Sequence, residues 1–303
     1  MTTQFWWVFD AILVLVAGYF IYSNARRGVS KVLVMCIGYI VATVAGSLLS
    51  AAAAPGLYEV IARESDIDAI VDMNRDFDAA KALTDAVNAQ NYGMDLEKSK
   101  TEAFLLPPDT EECIQNLYKY VVRKAGYEPV TEVQFHYLMR DAFSEYYSDL
   151  MLDGLPDYAA AVFRETLAQD VNVMYTLIEN TYSSTMSARS AAIYVEDTFV
   201  KARTIEVFGI FTYLILFSII MVFSALIASM LENRIFFNIY SATEHIMGGV
   251  IGLIEAAMMV VLLTVSTRLA ILLGGGNFLF FNEETVMASK LFSFFYEHLW
   301  MLL

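Results

Sequence analysis

The stretch Ser241–Leu263, SATEHIMGGVIGLIEAAMMVVLL, restricts the folds open to this chain more than any other. It belongs to an apolar run long enough to cross a bilayer. In hydrocarbon a backbone must satisfy its own hydrogen bonds, so the run is a helix. Yet it carries a carboxylate, Glu255. At 100° per residue, Ser241, Glu244, Gly248, Gly252, Glu255 and Met259 fall within about 80° of one another, on a single face. An acid inside a span costs about 2.5–3.5 kcal/mol or more, so it faces protein or water rather than lipid. The Gly248/Gly252 step lets a second backbone approach closely. The helix is expected to pack by this face.

Three further apolar runs, two before and one after a charged middle, extend the argument to the whole chain. Of its 303 residues 57 % are hydrophobic, and mean hydropathy is +0.51. That is the pattern of a membrane protein with a soluble insert. The net charge of −15 is local: between Pro55 and Arg203 there are 26 acidic and 13 basic residues. Such a segment argues against nucleic acid and against anionic lipid headgroups as partners. It suits cationic ligands, and more simply it keeps surface helices soluble. Cys36 and Cys113 lie in different regions and make neither a disulfide framework nor a zinc pattern. His136, His245 and His298 are scattered, and His245 reads as an interfacial residue. Nucleophile-elbow, Walker and dinucleotide glycine patterns are absent, so neither an enzyme nor a cofactor is expected.

The chain reads as all-α: a polytopic protein with four transmembrane helices, a helical extracytoplasmic insert and a C-terminal amphipathic helix. Residues 1–55 form the first hairpin. Its first helix, about Phe5–Ser23, has Trp6 and Trp7 at one interface and Asp10 about a turn inside. No basic segment precedes it, so it reads as a retained helix rather than a signal peptide. The turn after it, from Asn24 to Lys31, holds three cations, which places it in the cytoplasm. The second helix, about Lys31–Ala54, carries Gly38, Ala42, Ala45 and Gly46 for close contact and should end at Pro55-Gly56.

Residues 56–203 form the acidic insert, outside the cytoplasm, with helical periodicity. The first stretch spans Leu57 to Leu83, followed by a break at Asn91-Tyr92-Gly93 and a stop at Pro107-Pro108. A helix should start at Asp109 and end at Gly126. Another should start at Thr131, with Phe135, Leu138, Met139, Phe143, Tyr146 and Leu150 inward. Asp157 should begin one that reaches Tyr182, before a linker or bend over Ser183–Ser190. The insert also holds 12 of the 18 tyrosines, which read best as a wet-edged helical core.

Residues 204–276 give the second hairpin, with helices near Phe208–Leu231 and Ile246–Leu273 and an interfacial piece at Ile235–His245. Arg268, near the outer end, is expected to snorkel. Residues 277–303 read as an interfacial amphipathic helix. Both termini then lie outside.

Asp10 at the head of the first span, Arg27-Gly28 after it, and Glu244, Gly248 and Gly252 in the fourth together resemble the colicin V production (CvpA) family of bacterial membrane proteins. The likeness covers residues 1–55 and 204–303. Glutamate stands at 244 for the more usual aspartate, and Glu255-Ala256 stands where family members often carry Arg-Gly. The large insert is also foreign to the compact members. The resemblance implies a multi-pass protein of the bacterial inner membrane, linked to colicin V or toxin production and export.

Two functions compete. In one, the spans anchor an assembly protein whose insert binds an envelope partner. In the other, Asp10, Glu244 and Glu255 line a proton or cation path in an oligomeric transporter or channel. Membrane lipids, a homo-oligomer and an unidentified envelope protein are the expected partners; no metal site is expected.

Overall fold

A computed structural model describes the chain except for residues 1–4, 27–28, 106–109, 183–185, 232–240, 274–281 and 300–303. The described residues are mostly helical, with no strand among them. In order the helices are α1 (Trp6–Ala25), α2 (Val29–Ile61), α3 (Arg63–Asp76), α4 (Ala79–Ala89), α5 (Lys98–Leu105), α6 (Thr110–Ala125), α7 (Glu132–Gly154), α8 (Asp157–Gln169), α9 (Asn172–Tyr182) and α10 (Ala188–Val195). A π-helical turn (Glu196–Val200) follows, then α11 (Lys201–Leu231), α12 (Ser241–Leu273), α13 (Glu283–Met287) and α14 (Phe292–Leu299). Four helical stretches are long and apolar enough to cross a membrane: Trp6–Ala25, Val32–Ile61, the run Ala188–Met230 and His245–Leu273.

The chain folds as two units, Met1–Val60 with Thr204–Leu303, and Ile61–Arg203. In the first, α1 pairs with α12 and α2 with α11. Small residues make both pairings close. A β-carbon added at Gly38 would sit 2.5 Å from Ser224, and one at Gly46 would sit 3.2 Å from the Tyr213 ring. Ala42, on the same side of α2, is fully buried. Tyr39 and Phe217 meet with ring centres 6.1 Å apart.

The second unit is built on α7. Phe135, Met139, Phe143, Tyr147 and Met151, four residues apart along one side, are all buried. Leu138, Tyr146 and Leu150, expected inward, are only half-buried. Tyr147 meets Phe77 at 4.9 Å and Phe163 at 5.0 Å, and Phe163 meets Phe199 of the π-turn at 5.3 Å. Aromatic pairs of this kind contribute about 0.5–1.5 kcal/mol each beyond their burial. Thr131 begins α7, as expected, and the structure shows a full capping box with Gln134. The breaks at Asn91 and Gly93 and at Gly126 occur with positive φ at all three residues.

Several boundaries differ from expectation. Pro55 does not end α2; the helix runs on to Ile61. Pro55 costs the helix one backbone hydrogen bond, to the Ala51 carbonyl, and the turns on either side carry it on. Val60 is in consequence 85 % exposed rather than core. The stretch to Leu83 is cut at Phe77 and Asp78, because the Asp78 carboxylate accepts from the Lys81 N–H and starts a new helix. Asp170 likewise accepts from the Asn172 N–H and separates α8 from α9. The π-turn and α11 begin well before Phe208, and α12 begins at Ser241 rather than Ile246. The tail is two short helices instead of one. Pro107-Pro108, Asp109, the 232–234 turn, Ile235–Tyr240 and Gly274–Gly276 lie outside the described residues.

Candidate functional site

Two polar clusters of the membrane unit lie along the α1–α12 seam. The helices run antiparallel, since Gly248 of α12 meets Asn24 of α1, Gly252 meets Phe20, and Val260 and Ile271 share a core with Leu13 and Phe9. Contact is backbone to backbone. A β-carbon at Gly248 would lie 2.5 Å from the Asn24 carbonyl oxygen, and one at Gly252 would lie 2.9 Å from that of Phe20.

One turn beyond the glycines, the Asn24 side-chain amide donates to Glu255 Oε2 at 2.6 Å. Both residues are 1 % exposed. Helical side chains lean toward their own N-terminus, so on antiparallel helices these two converge. The close backbone approach is what brings two short polar side chains within reach. Behind them, His245 Nδ1 donates to the Ala25 carbonyl at 2.6 Å and satisfies one of the open carbonyls at the end of α1.

The second place lies at the other end of the seam. Asp10 accepts from three consecutive backbone N–H groups, Lys290 at 3.0 Å, Leu291 at 2.9 Å and Phe292 at 2.9 Å. These are the open donors at the start of α14, so an acid on the first helix caps the last one. Phe9 stacks on Phe292 at 5.3 Å, and the Lys290 ammonium sits 5.3 Å over the Trp6 ring. Nearby, Arg268 donates to Glu206 at 2.8 Å and to the Tyr296 hydroxyl oxygen at 3.0 Å, and lies 3.5 Å from Glu283. Arg268 does not snorkel. Only 6 % exposed, it ties α11, α12, α13 and α14 together. The tail is therefore docked: Val286 and Phe292 are fully buried and Tyr296 nearly so.

Of the expected site residues, Gly248, Gly252 and Glu255 come together on one face of α12 against α1. Asp10 does not join them. Fourteen residues separate it from Asn24, about 21 Å along the helix. Glu244 lies in the first turn of α12, and its side chain is outside what is described. Arg27 and Gly28 fall outside the described residues. Asn24, Arg268, Glu206 and His245 were not singled out by sequence as bonding partners. Asn24 looked like the first residue of the basic turn.

In the insert, α7 and α9 border a cleft of about 380 Å³ lined by Glu132, His136, Tyr137, Arg140, Val171 and Tyr175. His136 bonds the Tyr175 hydroxyl at 3.1 Å on one side. Arg140 lies 4.9 Å over the Tyr137 ring and is neutralised by Asp141 at 2.7 Å. The size is that of a pocket for a small ligand or one side chain. No group of three metal-ligating residues occurs among the described residues.

Chemically, the membrane site offers one carboxylate that accepts from an amide, and a second carboxylate that accepts from three backbone donors. Asp10, Glu255 and Arg268 each bond a helix other than their own. Comparison with known proteins found no matching family model, curated protein or solved structure.

Proposed function

We propose that this chain is a multi-pass protein of a bacterial inner membrane, of the colicin V production type, acting in assembly. Its spans serve as a fixed scaffold and its acidic helical insert engages an envelope partner. The observation that carries the reading is the use made of the intramembrane charges. Asp10 caps α14, Glu255 binds Asn24, and Arg268 joins four helices. Groups spent on packing hold a scaffold together. A self-sized extramembrane unit with its own cleft suits recognition better than conduction. The cations Arg26, Arg27 and Lys31 support an orientation with the insert and both termini outside the cytoplasm.

The alternative, an oligomeric transporter or channel, draws on Glu255, a buried carboxylate deep in a span. Flux decides between them. The full chain in liposomes is expected to pass neither protons nor alkali cations. A flux in the intact protein that disappears in Glu255→Gln refutes the scaffold reading and establishes the alternative. The orientation has a separate test: a cysteine at Ser65 should react with an impermeant thiol reagent in whole cells, and one at Val29 should not.

A further inference from the structure

The cleft of about 380 Å³ in the second unit is built along one side of α7. Glu132, His136 and Arg140 are four residues apart, so they follow one another down the helix over about 12 Å. Val133 and Tyr137 flank them and are exposed at the mouth, while Val171 and Tyr175 form the opposite wall. Apolar and aromatic walls around a few polar groups are the make-up of a ligand pocket. The polar groups then decide which ligand suits it.

The guanidinium of Arg140 is already engaged. Its Nε and Nη2 donate to Asp141 at 3.0 Å and 2.7 Å, and it lies over the Tyr137 ring. At 100° per residue, Tyr137 and Asp141 stand about 140° and 180° round the helix from Glu132. Arg140 is thus drawn to the far edge of α7. At the near edge, Glu132 Oε1 accepts from the neutral Gln115 amide at 2.9 Å. Lys119 donates to that same Gln115 at 3.2 Å, and no cation pairs with Glu132 among the described residues. His136 is turned to the Tyr175 hydroxyl at 3.1 Å. The Glu132 end is therefore a half-buried carboxylate among neutral side chains. It belongs to a segment with 26 acidic and 13 basic residues. An anionic ligand would meet Glu132 and this acidic field, and would find Arg140 taken. A neutral apolar ligand would strip water from the carboxylate and return nothing for it.

We infer that the cleft binds a basic side chain, arginine or lysine, presented by a peptide segment of the envelope partner. Its alkyl stem lies on Val133 and Val171, and its charged head donates to Glu132. The inference rests on the reading of the insert as a recognition unit, and names the chemistry it recognises. The acidic surface draws a basic partner in, and the cleft supplies the specific grip.

The test is saturation-transfer NMR on the full chain in phosphatidylcholine nanodiscs, against empty nanodiscs. The probes are the N-acetyl methylamides of arginine, lysine, citrulline and glutamate. Arginine and lysine should give saturable transfer, strongest on the side-chain methylenes, with a dissociation constant in the millimolar range that suits a single residue. Citrulline, which keeps the shape without the charge, should bind roughly fivefold more weakly, and glutamate should not bind. Glu132→Gln should abolish the preference for arginine over citrulline. Glu165→Gln, which removes the same charge from an exposed site on α8, should keep it. Should Glu132→Gln not fold, Val133→Lys at the exposed mouth must weaken arginine binding by repulsion. No saturable transfer from arginine, equal binding of citrulline, or a preference that survives Glu132→Gln overturns the proposal. Each probe is a single residue, so such a failure removes the cleft alone. The scaffold reading stands or falls separately, by the flux measurement.

Discussion

Two neighbouring glycines of α12 offer a sharp measurement of how the membrane unit is held together. A β-carbon at Gly248 would lie 2.5 Å from the Asn24 carbonyl oxygen, 3.2 Å from its carbon and 3.3 Å from Ala25 Cα. All three are backbone atoms and cannot rotate away. Ordinary contact begins near 3.4 Å, so Gly248→Ala must open the seam locally by about 0.9 Å. Overpacking of this kind costs about 1–3 kcal/mol. The same displacement stretches the 2.6 Å Asn24–Glu255 bond, a further loss of about 0.6 kcal/mol for an interhelical hydrogen bond in a membrane. At Gly249 the added carbon meets only Ala25 Cβ at 3.9 Å. Gly249→Ala should be neutral or, through helix propensity, stabilising by up to about 1 kcal/mol. The two variants differ by one residue and not at all in chemistry, yet should differ by about 2–4 kcal/mol, at least tenfold in equilibrium constant. Reversible unfolding in bicelles, followed by steric trapping across α1 and α12, reads this directly. Equal stabilities for the two variants would refute backbone contact as the basis of the seam.

The polar groups give three further expectations. Asp10→Ala leaves three backbone N–H groups open at the start of α14, so it should cost about 0.5–2 kcal/mol and raise hydrogen exchange at residues 290–293. The same residues staying protected would show that α14 is held by packing alone. Asn24→Leu removes the amide donor from the buried Glu255 carboxylate and should destabilise more than the pair Asn24→Leu with Glu255→Leu, in a double-mutant cycle read by the same unfolding assay. Arg268→Met leaves Glu206 without its 2.8 Å partner and should cost about 3–5 kcal/mol, with limited proteolysis appearing first in the tail beyond residue 273. A variant as stable and as protease-resistant as wild type would contradict the network.

Part of this was readable in one dimension. The helical period alone puts Gly248, Gly252 and Glu255 on a common face, and the cost of an acid in hydrocarbon turns that face inward. Thr131 and Gln134 announce the start of α7, and Gly126 announces the end of α6, because caps are local chemistry. Pro55 misled for the opposite reason. A proline removes one backbone hydrogen bond, here to the Ala51 carbonyl, and weakens a helix without having to end it, so α2 continues to Ile61. Asn24 was hidden by its neighbours, since a polar residue ahead of Arg26 and Arg27 resembles a loop. Asp10 was visible as an acid within a span, but its three partners lie 280 to 282 residues away.

The amino-acid sequence by itself determined that the chain is helical, that four stretches can cross a membrane, that an acidic unit separates them, and that α12 packs by its glycine face. These follow from periodicity, length and the cost of unsatisfied groups in lipid, all properties of a single segment. Only the tertiary structure decided what each charge does. Asp10 became a cap, Arg268 a buried tie and Glu255 the acceptor of Asn24. The protonation and bonding of an ionisable group depend on what stands within a few ångströms of it. For Glu255 that neighbour was chosen by two glycines, because their missing side chains let α1 come close enough to reach it.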